Sequence, residues 1–341
     1  ARLSLLSLVA MISVSPLSAQ LTFDPDNPPS SSTPPTEQYH EFTGVISGND
    51  QWTKGPKTML VFLVQTSDGE AWTNPKSYAT LENELLNASA NFYRASYHQT
   101  WFGPKRRSGM DIPMLKVTPV MVLPRTKDQY RASFGTLQSD CIAAARALGP
   151  DWQSGGINDP YNFDRWVVMS NDNLTTSTGR AYVRGRFAWT AGDLDGKVAE
   201  HEIGHNWGVY HANSWFVPDG VPEDVHPRSD QRQNGEYGDG WDLMGGGNSS
   251  QMFNPQFRQD LHFLEEIRNE VVEVHASGRY RIYNYLHDDS RQATSATRAL
   301  VIPIGTSSRQ RVVLGFGHLN GTDGGWGRTD YNRNAVTVHS N

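Results

Sequence analysis

The run His201-Glu202-Ile203-Gly204-His205-Asn206-Trp207-Gly208-Val209-Tyr210-His211 constrains this chain more than any other stretch. On a helix, residues four apart share a face and lie about 6 Å apart along the axis, so His201 and His205 can aim their imidazoles at one metal ion. Glu202 falls about 100° round from His201. That offset suits a general base, which must reach a water on the metal without taking the water's place. Gly208 lets the chain leave the helix through a left-handed conformation that a Cβ resists, swinging His211 back to the same ion. Three neutral imidazoles leave the double charge of a zinc ion uncancelled, which lowers the pKa of its water towards ~7. In a chain of this composition the eleven-residue pattern arises by chance about once in twenty-five thousand chains.

The flanking sequence supplies a sheet and helices to carry such a site. Met59-Leu60-Val61-Phe62-Leu63-Val64 has the length and β-branched content of a central strand. From Tyr78 to Tyr97, Leu81, Leu85, Ala88, Phe92 and Ala95 recur at helical spacing. A strand over Met114 to Leu123 follows, then a helix over Lys127 to Leu148, a buried strand at Trp166 to Met169, and one or two exposed strands between Gly179 and Trp189. This order of β, α, β, α, β, β predicts an α/β half-domain leading into the motif helix, Gly196 to Trp207, with Val198 and Ile203 as its packing residues. A Gly- and Asp-rich stretch then reaches Gln251, and a long helix is expected over Pro255 to Val274. Beyond it, Tyr280 to Tyr283, Ala299 to Ile302 and Val312 to Leu314 read as short strands, which makes the chain α+β as a whole.

The N-terminus reads as a secretory signal peptide over residues 1–19, with one basic residue, a short apolar run and small residues before Gln20. A Pro/Ser-rich leader or short pro-segment follows to residue 56; its Asn27-Pro28-Pro29-Ser30 composition cannot bury a core. A secreted, extracellular protein is therefore expected, or a periplasmic one if the source is bacterial. The net charge of -6 and the absence of a long basic run argue against a nucleic-acid partner. No membrane association is expected once the signal is removed, and a monomer is expected. Cys141 is the single cysteine, so intrachain disulfides are excluded; it reads as a small core residue of a helix. Asn87, Asn173, Asn248 and Asn320 stand in glycosylation sequons that matter only in a eukaryote.

A second piece follows about thirty residues after the third histidine, at Tyr237-Gly238-Asp239-Gly240-Trp241-Asp242-Leu243-Met244-Gly245, a turn-rich stretch with one buriable thioether. At this distance from three candidate zinc histidines it resembles the Met-turn of metzincin peptidases. The combination of His-Glu-Ile-Gly-His-Asn, Tyr210-His211-Ala212 and Tyr-Gly-Asp before Met244 is similar to the gametolysin, or autolysin, family. Leu60 to Val64, Ala95-Ser96-Tyr97, Val117-Thr118-Pro119-Val120, Gly179-Arg180-Ala181-Tyr182 and Ala199-Glu200 add to the likeness, which covers roughly residues 57 to 270. Two departures stand out, Trp207 where Phe or Leu is common and His98 where Gly would be expected.

The resemblance implies a metzincin-type zinc metalloprotease over residues 57–275, with a twisted mixed sheet, an active-site helix, a Met-turn and a C-terminal helix. A β-rich C-terminal domain, or a fragment of one, would follow over 276–341. It implies one catalytic zinc on His201, His205 and His211, Glu202 as the catalytic base, Met244 in the Met-turn and Gly208 at the helix exit, acting on extracellular or cell-wall protein or glycoprotein. Position 246 is Gly, so no tyrosine ligand follows the methionine, and Tyr237 reads as packing. Gly179 to Val183 is the candidate sheet edge for substrate, with Arg186 to Trp189 as its rival. Asp193-Leu194-Asp195-Gly196 reads as a helix-capping turn rather than a calcium site. Two other functions compete: an inactive metzincin-like protein serving binding or adhesion, and a zinc hydrolase of a non-peptide amide or ester.

Overall fold

The computed structural model describes residues 50–190, 192–216, 233–240, 242–246, 253–264, 269–285, 296–303, 311–318 and 334–340. The signal segment and the leader as far as residue 49 lie outside them; residues 50–56, the last of the expected leader, are described as a short helix, Asp50–Thr53, and a strand beginning at Gly55 that pairs in parallel with Thr100–Phe102. The described chain is α+β and divides into two compact units, one ending at Tyr210 and the other beginning at His211. Among the described residues no helix is long and apolar enough to cross a membrane.

The first unit is built on β1 (Met59–Gln65), whose residues from Met59 to Val64 are all buried. Strand β2 (Leu115–Val117) flanks it on one side and β3 (Arg165–Met169) on the other, both parallel to it. Met121–Val122 pairs with the far end of β1, so the strand expected over 114–123 is two short pieces broken around Pro119. Beyond β3 the sheet continues through β5 (Phe187–Trp189), parallel to β3, and ends on β4 (Arg180–Ala181), antiparallel to β5. Strand β4 is thus the outer edge, and β5, the rival candidate, is enclosed between two strands.

Two helical layers cover this sheet. Helix α1 (Tyr78–Ala95) starts where the Ser77 hydroxyl accepts from the Thr80 N–H and buries Leu81, Leu85, Ala88, Phe92 and Ala95, the expected face. The helix expected over 127–148 is two, α2 (Lys127–Ala132) and α3 (Phe134–Arg146). Ser133 separates them because its backbone is extended, at φ −146°, and its hydroxyl caps α3 through the Thr136 N–H. Leu60, Phe62 and Val64 of β1 share one core cluster with Tyr130, Phe134, Leu137, Cys141 and Trp166. Cys141 is fully buried there, and burial pushes its thiol well above its ordinary pKa, so it behaves as an apolar side chain.

In the second unit β8 (Val271–Glu273), β9 (Ala299–Pro303), β10 (Arg311–His318) and β11 (Asn334–Ser340) form one sheet, parallel at the first pair and antiparallel at the others. Strands β6 (Ser214–Phe216) and β7 (Gln233–Gly235) form a separate antiparallel pair in the same unit. The long helix expected over 255–274 is corrected to α5 (Pro255–Asp260). His262 turns left-handed at φ +61°, and the N–H groups of His262 and Phe263 return to the carbonyls of Gln259 and Arg258, a Schellman stop without its usual glycine. Val271 and Val272 then enter β8, as β-branched residues favour. The strand expected at 280–283 is absent; just beyond it an isolated bridge joins Asn284 to Phe316 of the sheet.

A buried charge cluster ties the start of the first unit to β3. Asp164 accepts from the Thr58 N–H at 3.0 Å and pairs with Lys105 and Arg107 at 2.6 and 2.8 Å. Burial alone would raise its carboxyl, but Lys105, Lys57 and Arg107 hold it well below the usual carboxylate range. A depressed pKa stabilises the fold above the unfolded value of about 3.9, and that stability is lost as pH falls through the folded value. Replacing Asp164 by Asn should therefore cost about 3–5 kcal/mol near neutrality, because three cations lose their counter-charge. Chemical denaturation across pH should show the penalty shrinking below about pH 4; an unchanged acid branch would contradict this role.

Candidate metal centre

Helix α4 (Gly196–Trp207) carries the motif where the sequence predicts it. Its burial differs from the amphipathic expectation. Every residue from Ala199 to Trp207 is buried, histidines and glutamate included, whereas Val198 is exposed at 37%. Enclosing so polar a helix costs free energy that hydrogen bonds offset only in part, since Glu200 Oε2 and Asn206 Oδ1 are buried without a partner. Glu200 accepts from Asn91 of α1 at 2.7 Å, and Asn206 donates to the carbonyls of Tyr182 and Phe187 beside the sheet edge. Trp52 donates to the Asn206 carbonyl at 2.8 Å.

Trp207, the departure noted in the sequence, anchors the helix end. It stacks on Phe92 with ring centroids 4.6 Å apart, meets Phe102 edge-on, receives the Arg165 guanidinium over its face and donates to the Thr53 carbonyl. A smaller ring would leave Arg165 and that carbonyl without these contacts. The other departure, His98, sits at φ +65°, in the left-handed region where glycine is the easy choice, and stacks on Tyr93 with centroids 4.2 Å apart.

The His201 and His205 rings stand face to edge, centroids 4.8 Å apart, as two residues one turn apart on a single face should. The His205 Nδ1 meets the Val209 carbonyl at 2.8 Å; as the donor there, it leaves the ring lone pair on Nε2. Gly208 ends the helix at φ +124° with its N–H on the His205 carbonyl. A Cβ at Gly208 would have room, since its nearest neighbour would be Arg184 at 3.7 Å, so conformation rather than space demands the glycine.

His211 follows, and one donor nitrogen from each of His201, His205 and His211 lies within 4.8 Å of the other two. Among the described residues no other three such side chains gather. This group can hold a metal ion. Its chemistry fits a borderline-soft dication such as zinc, whose bonds to imidazole of about 2.0–2.1 Å need only a modest inward adjustment of the rings. His98 and His262 take no part, and His226 lies outside the described residues.

Glu202 lies deep in the first unit. Burial pushes its carboxyl up to about 8, whereas a dication bound close by would draw it down again. A Cβ on Gly179 would stand 2.4 Å from the Glu202 Oε1 and 2.6 Å from its Cγ. The glycine immediately before edge strand β4 is therefore what gives Glu202 its space, a relation only the folded chain reveals.

The calcium alternative at Asp193 to Gly196 gains nothing. Asp193 pairs with Lys76, Asp195 accepts from Asn87, and the Leu194 N–H reaches Glu84. Asp195 does occupy the cap position of α4, yet its side chain makes no capping bond.

In the second unit the residues after His211 are knitted to the turn that holds Met244. The Ala212 N–H donates to the Met244 carbonyl at 2.9 Å, and the Ala212 carbonyl accepts from the Asp239 N–H at 3.1 Å. Met244 is fully buried. Asp242 fixes the turn from within, its carboxylate accepting from the N–H groups of Met244 and Asn254. Burial, reinforced by Asp239, pushes the Asp242 carboxyl up to about 8.

No protein-family model matches the chain, and no curated protein matches it. Among solved structures, one match is a chain from "Structure of a chaperone-substrate complex", at 15% identity and a TM-score of 0.29. The match covers 59% of this chain and 29% of that one. A likeness of that grade bears on neither fold nor function.

The turn makes a sharp demand at Gly245, where a Cβ would stand 2.0 Å from the Asp239 carbonyl oxygen and 2.9 Å from that of Ala212. Neither is a side chain that could swing aside. Gly245→Ala should destabilise the second unit by about 3 kcal/mol or more, whereas Gly240→Ala, with nothing within 4 Å, should change stability by less than about 0.5 kcal/mol. Equal denaturation midpoints for the two variants would refute this packing.

Proposed function

We propose that the chain is a secreted, metzincin-type zinc endopeptidase of the gametolysin kind, acting on extracellular or cell-wall protein or glycoprotein. The observation that carries this reading is the convergence of His201, His205 and His211, with a buried carboxylate, Glu202, next to the first of them in sequence. The fully buried Met244, bonded through its carbonyl to the residue after His211, adds to it. The secreted location rests on the composition of residues 1–19 alone.

In this reading the three imidazoles would hold zinc, which supplies a Lewis acid for the scissile carbonyl and acidifies a water. Glu202 moves the proton: it accepts one from the attacking water and delivers it to the departing amine nitrogen. Glu202 is buried, so the proton it carries between the two steps is shielded from bulk solvent. Peptide substrate would align along β4, the outer strand of the sheet, since an exposed edge pairs readily with another extended backbone. Gly179 stands where that edge meets Glu202, which sets the carboxylate close to a strand-bound peptide.

Incubation of the protein with casein or gelatin, with and without a zinc chelator, tests this directly. Cleavage that chelation abolishes is expected. Glu202→Ala should keep the wild-type zinc content and lower turnover by about 10²–10⁴-fold. Gly179→Ala, which crowds the same carboxylate, should lower turnover without releasing zinc. No cleavage of any protein would favour the binding-protein alternative, and cleavage confined to small esters or amides would favour the non-peptide hydrolase.

A further inference from the structure

The third histidine is placed differently from the first two. His201 and His205 ride on a buried helix, whereas His211 lies in irregular chain with its side chain 25% exposed. Its Nδ1 meets the Glu236 Oε1 at 2.7 Å. The Tyr237 ring lies over the His211 ring with centroids 4.0 Å apart and planes 38° from parallel.

Consecutive residues of an extended chain point to opposite sides, so two neighbours rarely reach one target. Here the backbone is bent to allow it. Hairpin β6–β7 pairs Ser214 with Gly235, which returns the chain beside residues 211–213. Tyr237 then adopts φ +59°, uncommon for an aromatic residue. The Asn213 side chain accepts from the Tyr237 N–H at 3.0 Å, and the Gly238 N–H closes the turn on the Gly235 carbonyl. A strained turn held by two hydrogen bonds thus brings a carboxylate and a ring to the same imidazole.

We propose that Glu236 and Tyr237 are positioning residues for the third metal ligand: Glu236 accepts the Nδ1–H of His211 and so presents the Nε2 lone pair, while Tyr237 fixes the plane of the ring. This rests on the three-histidine metal reading above and deepens it. His205 obtains the same service from the Val209 carbonyl. At His211 the acceptor is an exposed side chain, so its contribution can be removed without touching the backbone. An acceptor behind a ligating imidazole fixes its tautomer and raises its basicity. An ordinary surface ion pair would contribute to stability weakly and to metal affinity not at all.

The test is zinc affinity of the full chain, read by competition with a chromophoric chelator. Glu236→Ala and Glu236→Lys, neither of which leaves an acceptor for Nδ1–H, should each weaken zinc binding about 10–100-fold. Glu236→Gln, whose amide oxygen still accepts, should stay within about threefold of wild type. In a His211→Ala background Glu236→Ala should add less than about a twofold change, since its target is gone. Wild-type affinity in Glu236→Ala and Glu236→Lys would overturn the proposal. So would an undiminished loss in the His211→Ala background, which would mark Glu236 as generally structural. His201→Ala separates the two levels. If wild type and His201→Ala bind zinc equally poorly, the metal reading itself fails; if His201→Ala abolishes tight binding while Glu236 substitutions change nothing, only the positioning role falls.

Discussion

A polar helix enclosed in a protein interior is the constraint around which the first unit is arranged. Helix α4 buries two histidines, two glutamates and an asparagine within one short segment. Without partners those groups would favour leaving the interior. The sheet edge answers Asn206 through the Tyr182 and Phe187 carbonyls, α1 answers Glu200 through Asn91, and the aromatic cage around Trp207 clamps the end of the helix. Burial pushes the carboxyls of both glutamates up to about 8; at Glu200 the Asn91 amide acts against that rise, and at Glu202 burial is the cause. Groups so perturbed are where function is to be sought, and Glu202 is adjacent in sequence to His201, one of the three histidines that could hold a metal ion.

The second unit answers a different demand, the steady placement of a candidate metal ligand, His211, outside any helix. Its solution is backbone pairing of unusual closeness. Ala212 exchanges hydrogen bonds with Met244 and Asp239, and Gly245 is required because no Cβ fits between those carbonyls. Asp242 braces the same turn from the inside, and its acceptance of the Asn254 N–H joins the turn to the start of α5. Helix α5 is pinned in turn by the buried Arg258, which donates to the carbonyls of Phe253 and Tyr285, and by Pro255 lying over Gly315 of β10. The Met244 turn is therefore continuous with the frame of its own unit.

Much of this was legible from residue order, because long periodic segments carry their own signal. Helix α1, strand β1 and helix α4 fall within two residues of their expected bounds. Failures occur where one residue's backbone conformation overrides the pattern. Ser133 breaks a helix that apolar spacing continues, and His262 stops another at a positive φ that only glycine or asparagine would have advertised. Within the site, spacing alone indicated the three histidines and Glu202. Gly179 was legible only as strand boundary, since its contact with Glu202 joins segments more than twenty residues apart. Glu236 carries no motif signal in the sequence because it precedes the Tyr-Gly-Asp run by one position, and Tyr237, which reads as packing there, lays its ring on His211. An acidic residue at the start of that turn was the available clue, but tautomer control of a histidine twenty-five residues earlier needs the hairpin register to become visible.

In the proposed reading three imidazoles from one eleven-residue run share a single ion. X-ray absorption at the zinc edge, on full-length protein loaded with one equivalent of zinc, measures this most directly. Three imidazole nitrogens are expected in the coordination shell at about 2.0–2.1 Å, falling to two in His211→Ala. A spectrum with two or fewer imidazoles in the wild-type protein, or one that His211→Ala leaves unchanged, would contradict it.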